Sequence, residues 1–394
     1  MRWVCAIHRE GGSVPSVREL AMDARGVVAA TFELERSTEI CGAQVPQGDA
    51  EFGVVLFEPN GQVRWVWADP ALQVSHIAIA DATIYVVGEP SDRRSAVLVA
   101  LEASNGHVRF SIPIRATRGT GVHALITLDG GDALLAGWFL GELTIRDRTL
   151  RGHADEEINE EDGFLIRVGA RSEVAMPVAM RTGASSNGVR TAGGAALPLF
   201  ALAESGISLV DANGLERRQV HITYSIHNPQ AIAVGRSGTL AAVLTLVGRA
   251  EVAGHELAGE GEDRPYVVVA TWSADGAPRG VTQLPCNGKC RAHGIVANGD
   301  RFYVAGEGEG GVAIGKVAST DRVDRPFAVA VDENAAIVGS LRITTAEPFV
   351  SEPMMAGSDV GWALSTYSSA ALEIEGEKLP PGTSFILFQP TPTR

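Results

Sequence analysis

The sequence predicts an all-β chain: a seven-bladed β-propeller of four-stranded antiparallel blades, filling residues 1–394 as a single domain. Three observations predict it. A short apolar run of strand length recurs seven times along the 394 residues. Several of these runs end in Asn-Gly or Asp-Gly, dipeptides that turn hairpins. The first six residues, Met1 to Ala6 (MRWVCA), return almost letter for letter at 62–68 (QVRWVWA), where they close a repeat instead of opening one.

The third strand of each repeat is the clearest. It reads GVVLFE at 53–58, AVLVALE at 96–102, FLIRV at 164–168, ISLVD at 207–211, YVVVATW at 266–272, FAVAVD at 327–332 and FILF at 385–388. Hairpin dipeptides follow at Asn60-Gly61, Asn105-Gly106, Asn213-Gly214 and Asp275-Gly276. They predict type I′ turns, whose two central residues both take positive φ. A fourth strand comes next, as at 63–66 and 108–110.

The first two strands are also regular. His76 to Gly88, His123 to Gly137 and His293 to Gly306 share one pattern, and weaker copies start near Glu19, Asn187, Gln230 and Glu352. The repeat spacing, roughly 45 to 65 residues, is near that of propeller blades. The last repeat stops after its third strand, near Pro390, so residues 1–6 supply the fourth. A ring closed by both ends of the chain has no open sheet edge.

Composition agrees with this and narrows the partners. Forty-five glycines suit a chain of many tight turns. Hydrophobic residues make up 45% and charged residues 20%, enough for a sizeable core. The formal charge of −14 repels phosphate backbones, and there is no basic run, so nucleic acid is excluded as a partner. No apolar stretch approaches the ~18 residues of a membrane-spanning segment. No signal peptide is recognisable at the N-terminus, which suits a cytoplasmic chain or one whose leader has been removed.

A second repeat sits between the second and third strands of alternate units. It reads TEICGAQV at 38–45, LTIRDRTL at 143–150, AEVAGHEL at 250–257 and LEIEGEKL at 372–379. These octamers read as small hairpins that decorate the blade beside which they pack.

The third repeat carries Gly137-Trp138-Phe139, Gly141, the octamer at 143–150 and Asp162-Gly163-Phe164, and the first repeat keeps Gly61 to Trp65. This pattern resembles bacterial seven-bladed propellers of the SBBP-repeat type. The resemblance implies the propeller fold and an extracytoplasmic location, periplasmic or secreted, with no defined activity.

In such a blade, the loops joining strand two to three and strand four to the next blade share one face. The octamers, the acidic run from Asp155 to Asp162 and the loop from Cys286 to Cys290 all belong to it. Loops on a rigid scaffold carry binding. At the same side, the entry positions of the innermost strands form a candidate ligand site at the channel mouth: Glu19, His76, His123, Asn187, Gln230, His293 and Glu352. Histidines and carboxylates around an axial opening suit a small polar ligand or a divalent metal. The bland alternative is a wet, polar channel lining.

The remaining motifs are weaker. The acidic run lacks the ordered spacing of a calcium loop and reads as solvated. Cys286 and Cys290 are spaced for a small disulfide in an oxidising compartment, while Cys5 and Cys41 read as small apolar strand residues. Gly306 to Gly311 matches G-x-G-x-x-G, but the following VAIGKV reads as strand, so no helix N-terminus awaits a pyrophosphate. Trp3 with Trp65, and Trp138 with Trp362, read as packing between blades. The functional expectation is a non-enzymatic binding or scaffold propeller, with no cofactor, presenting an acidic, loop-bearing face to a protein or a cationic ligand. The alternative is a propeller enzyme, a hydrolase or lyase acting on carbohydrate at the channel mouth.

Overall fold

In the computed structural model, the described residues are 3–9, 16–33, 38–45, 51–90, 94–128, 130–152, 162–180, 189–190, 199–203, 206–210, 216–223, 231–259, 264–286, 288–309, 324–341, 343–345, 353–358, 360–368, 372–374, 377–379 and 383–390. Every regular element among them is a β-strand. The chain forms two compact units. One comprises Met1–Val17, Ser37–Gln44 and Val220–Arg394, the other Arg18–Arg36 and Val45–Gln219.

The basic motif is an up-and-down meander. In the second unit, Val17–Met22, Val28–Glu33, Phe52–Phe57 and Val63–Ala68 form one four-stranded sheet in chain order, and Gly119–Thr127, Ala133–Leu140, Asp162–Val168 and Val174–Met180 form another. In the first unit, Ala231–Val234, Leu240–Leu246, Tyr266–Trp272 and Pro278–Gln283 repeat the order. The third strands are the apolar runs read from sequence, and those whose side chains are described are buried on both faces. Val54, Val55, Leu56 and Phe57 are 0% exposed, which explains why these runs are continuous and not alternating.

The N-terminal strand closes a sheet. Trp3–Arg9 pairs antiparallel with Thr383–Pro390, from Trp3 opposite Phe388 to Ile7 opposite Ser384. Trp3 stacks on Phe388 with ring centroids 5.8 Å apart.

The sheets do not divide into seven equal four-stranded blades. Among the described residues four have four strands, three have six and one has three. The octamer hairpins are the reason. They form as expected, but they do not lie beside their own blade as decoration. Glu142–Ile145 continues the sheet of the preceding repeat by pairing with its outer strand Val108–Ala116, Ile145 opposite Ile114. Arg249–Val252 does the same with Glu216–Thr223, Val252 opposite Ile222. Thr38–Ile40 pairs with Trp3–Arg9, Ile40 opposite Ile7. An outer strand has an unpaired backbone edge, and the hairpin satisfies it.

Turn chemistry is redistributed as well. At Asn60-Gly61, Asn105-Gly106 and Asp275-Gly276 only the glycine has positive φ, at 88°, 75° and 79°. Glu58 accepts from the Gly61 amide at 2.8 Å, and the ladder slips at Leu56/Phe57. These are type I turns followed by a glycine bulge, not type I′ turns. The two-residue I′ geometry appears in the octamers: Cys41 and Gly42 have φ of 50° and 80°, and Ala253 and Gly254 have 52° and 80°. Asn213-Gly214 lies outside the described residues.

Candidate functional site

The first strands carry the predicted polar positions. Glu19 lies on Val17–Met22, His76 on Gln73–Ala80, His123 on Gly119–Thr127 and His293 on Cys290–Asn298. Asn187, Gln230 and Glu352 lie outside the described residues. Each of the last three strands has a bulge, and the bulges correct the register. Ser75 is the extra residue between Val74 opposite Gly88 and His76 opposite Val87. His123 is the extra residue between Val122 opposite Gly137 and Ala124 opposite Ala136, and His293 between Ala292 opposite Gly306 and Gly294 opposite Ala305. The counterpart of His123 and His293 is therefore Ser75, and His76 stands one residue further in.

That offset gives His76 a different environment. Its Nδ1 is 3.3 Å from Glu19 Oε1, and its Nε2 is 2.8 Å from the Val122 carbonyl oxygen. The other Glu19 oxygen accepts the Ile77 amide at 2.6 Å. The first strands of three successive repeats are thus joined through one imidazole. Burial pulls the His76 pKa down, but the Glu19 carboxylate, the Val122 carbonyl and the more distant Glu89 outweigh it, and the net shift is upward. The sequence reading named Glu19, His76 and His123; the structure brings Glu19 to His76 and uses the residue before His123, through its backbone, as the third partner.

His293 belongs to the other unit. Its Nε2 lies 3.7 Å from Glu307 Oε1, and both side chains are largely covered, at 11% and 24% exposure. The His293 interaction, with Arg291 nearby, holds the Glu307 carboxyl below its ordinary range against the opposing effect of burial. Among the described residues no three His, Cys, Asp or Glu side chains gather as a metal site.

Residues 155–161 of the acidic run lie outside the described residues. Asp162 does not share the solvated character expected of the run: it opens Asp162–Val168 and is 4% exposed. All four cysteines are in disulfides, Cys286 with Cys290 and Cys5 with Cys41. The second pair corrects the reading of Cys5 and Cys41 as plain apolar residues. The positive-φ turn at Cys41 faces the closing strand, and the Cys41 amide donates to Ala6 O at 3.1 Å. Gly306 and Gly308 lie inside strand Arg301–Glu309, so they cannot form a phosphate-binding turn into a helix; 310–311 lie outside the described residues.

Contacts join neighbouring repeats at the opposite strand ends; Trp65 and Trp362 pack between repeats as the sequence suggests, while the Tyr85 and Arg25 bonds were missed. Tyr85 Oη donates to Gly131 O at 2.7 Å, and Arg25 Nη2 donates to Asp81 O at 2.7 Å. Trp65 Nε1 donates to Ala103 O at 3.0 Å, and Tyr303 stacks on Trp362 at 5.3 Å. Arg25, Arg64 and Arg109 line an open cleft of about 390 Å³ with Asp81, Glu102 and Ser104. Its guanidinium groups are already engaged: Arg64 holds both Glu58 oxygens and Ala103 O, Arg25 holds Asp23, and Arg109 holds Thr83 Oγ1.

No family model matches the chain, and no curated protein matches it. The Neurospora crassa Pan2 WD40 domain superposes with a TM-score of 0.52 at 9% identity, over 96% of this chain and 90% of that one. The chain is a β-propeller. The Dos1 propeller gives a TM-score of 0.49 at 10% identity, over 97% of this chain and 93% of that one. The β-propeller domain of the Trilobed protease from Pyrococcus furiosus gives 0.46 at 8%, over 93% and 95%. At such identities the likeness is one of fold. Among the described residues no helix is long and apolar enough to cross a membrane.

Proposed function

We propose that the chain is a non-enzymatic binding or scaffold propeller, a single seven-repeat domain closed by its N-terminal strand, whose loop-bearing face receives a protein or a cationic ligand. The observation that carries this reading is the commitment of the best candidate catalytic pair. Both nitrogens of His76 and both oxygens of Glu19 are bonded to neighbouring strands. A general base needs a free lone pair aimed at substrate, and a carboxylate locked to an amide and an imidazole is placed to hold strands together. In each unit the octamer hairpins add exposed side chains, such as Arg148 in one and His255 in the other.

The finer assignment, to bacterial propellers of the SBBP-repeat type, is supported by Gly137 and Phe164 of the quoted motif, which meet across paired strands. An extracytoplasmic location is supported by two disulfides, which persist in oxidising compartments. A second reading, a hydrolase or lyase, draws on His293 and Glu307, an imidazole beside an ionised carboxylate in a half-buried position.

The test is a comparison of two variants of the full chain. Cross-linking mass spectrometry in a lysate of the source cells should capture one recurrent protein through the octamer face, equally with wild type and with His293→Gln/Glu307→Gln. Native mass spectrometry with and without EDTA should show no change in mass. A metal-dependent mass excess, or turnover of a glycoside panel that disappears in the His293→Gln/Glu307→Gln variant, would replace this reading with the enzymatic one.

A further inference from the structure

Both ring nitrogens of His76 face groups that only accept hydrogen bonds. Nε2 points at the Val122 carbonyl at 2.8 Å and Nδ1 at a Glu19 carboxylate oxygen at 3.3 Å. A neutral imidazole has one N–H, so it can satisfy one of the two. The imidazolium has two and satisfies both. The arrangement is therefore built for the protonated ring, and the ring is half-buried, with 20% of its side chain exposed.

We propose that Glu19, His76 and the Val122 carbonyl form a proton-dependent clasp, closed when His76 is imidazolium and open at the Glu19 side when it is neutral. It links the first strands Val17–Met22, Gln73–Ala80 and Gly119–Thr127. These strands are not hydrogen-bonded to one another as a sheet, so the clasp adds side-chain bonds between repeats that otherwise meet through apolar packing. When the ring loses a proton, Nε2–H keeps the Val122 carbonyl, the more buried acceptor. Nδ1 then presents a lone pair to the Glu19 carboxylate, and the two repel. Glu19 keeps only the Ile77 amide and is released from the ring.

The surrounding charges favour the closed form. Of the groups on strands packed against Gln73–Ala80 or adjoining Glu19, Arg18 is paired with Glu33. Glu89, on the paired second strand, adds a negative field at the ring. His123 is the remaining titratable group, on the strand that supplies Val122. The sign follows from the raised His76 pKa. The clasp is fully closed below about 6.5, the unperturbed histidine value, and opens as pH rises through the native value. A module of this kind holds these three first strands tight in mildly acidic surroundings and loosens them as pH rises through the native His76 value.

The experiment is histidine-resolved NMR on the full chain, with His76 assigned by the His76→Gln variant. The native His76 midpoint should lie above 6.5, and Glu19→Gln should lower it by ~1 pH unit, the effect of removing an adjacent carboxylate. Glu19→Gln retains an acceptor for the Ile77 amide, so it keeps the fold while removing the charge. If His76→Gln does not fold, thermal melts of wild type and Glu19→Gln give the same answer: the gap between their Tm values should be widest below pH 6.5 and close as pH rises through the native His76 value. A native midpoint at or below 6.5, a midpoint insensitive to Glu19→Gln, or a Tm gap constant across pH would overturn the clasp.

Discussion

Phe164 lies across the face of Gly137. A Cβ on Gly137 would stand 2.7 Å from the Phe164 ring and 2.1 Å from the Gly121 carbonyl oxygen. Phe327 and Gly306 repeat the relation, at 2.5 Å from the ring and 2.2 Å from the Arg291 carbonyl. In both repeats the glycine sits opposite the residue just before a first-strand bulge. The bulge swings a carbonyl inward, and only hydrogen leaves room for it. Gly137→Ala should therefore destabilise the chain by about 1–3 kcal/mol, the range for overpacking. Truncating the ring in Phe164→Ala should not rescue it, because the carbonyl contact remains. Urea melts of the two single variants and the double variant decide this: full rescue would show that the ring alone requires the glycine.

The Cys5–Cys41 bridge spans 36 residues and the Cys286–Cys290 bridge spans 4. On the chain-entropy account, removing the first costs about 4 kcal/mol and removing the second about 2. Paired Cys→Ala variants, melted in urea without reductant, should preserve that order. Equal losses would show that local contacts and not loop closure set the contribution.

Deleting residues 1–6 should lower Tm more than either cysteine pair does, because the strand opposite Phe385 to Phe388 loses most of its ladder and the Trp3 stack. A truncated chain with the same Tm would mean that Trp3–Arg9 adds nothing to the sheet it joins.

Tyr85 is fully buried, and burial, with Asp132 adding to it, pushes its hydroxyl up to about 12. Its hydroxyl is a donor to the Gly131 carbonyl of the next repeat. Tyr85→Phe keeps the ring and removes that bond, so a loss of about 1–2 kcal/mol is expected. Amide exchange near Gly131 should rise in parallel. A neutral substitution would place a water or another donor on that carbonyl.

Glu307 has a depressed pKa because of His293. Its contribution to stability is present above the ordinary carboxylate value of about 4.3 and is lost as pH falls through the lower native value. The Tm difference between wild type and Glu307→Gln should be full at neutral pH and shrink in strong acid. A difference independent of pH would mean that Glu307 acts by shape alone.

Much of the fold was legible because third strands such as Phe52–Phe57 and Tyr266–Trp272 are buried on both faces. Runs such as YVVVATW at 266–272 announce themselves without any need to resolve which face is which. The octamers were legible as hairpins for a different reason: eight alternating residues, with a central Gly in three of the four, as in Ala253-Gly254, leave few alternatives. Their partners were not legible, since a free sheet edge presents backbone groups and backbone groups carry no sequence signal. The polar ring was half legible. Glu19 and His76 do meet, but aligning on histidine placed His76 beside His123 and His293. A bulge shifts register by one residue, and nothing in the letters around Ser75 marks it. The Cys5–Cys41 bridge was invisible for the same reason as the hairpin pairing. It depends on a strand and a turn that are adjacent only once the outer edge has been filled.

The hairpins also constrain how such a chain can change its length. Glu142–Ile145 belongs by chain order to one repeat and by hydrogen bonding to the one before it, and Arg249–Val252 has the same double membership. Excising a hairpin-bearing repeat would strip the outer edge of its predecessor, and excising the predecessor would strand a hairpin. Removing a hairpin-bearing repeat together with its predecessor is the excision that leaves neither an uncovered outer edge nor an orphaned hairpin.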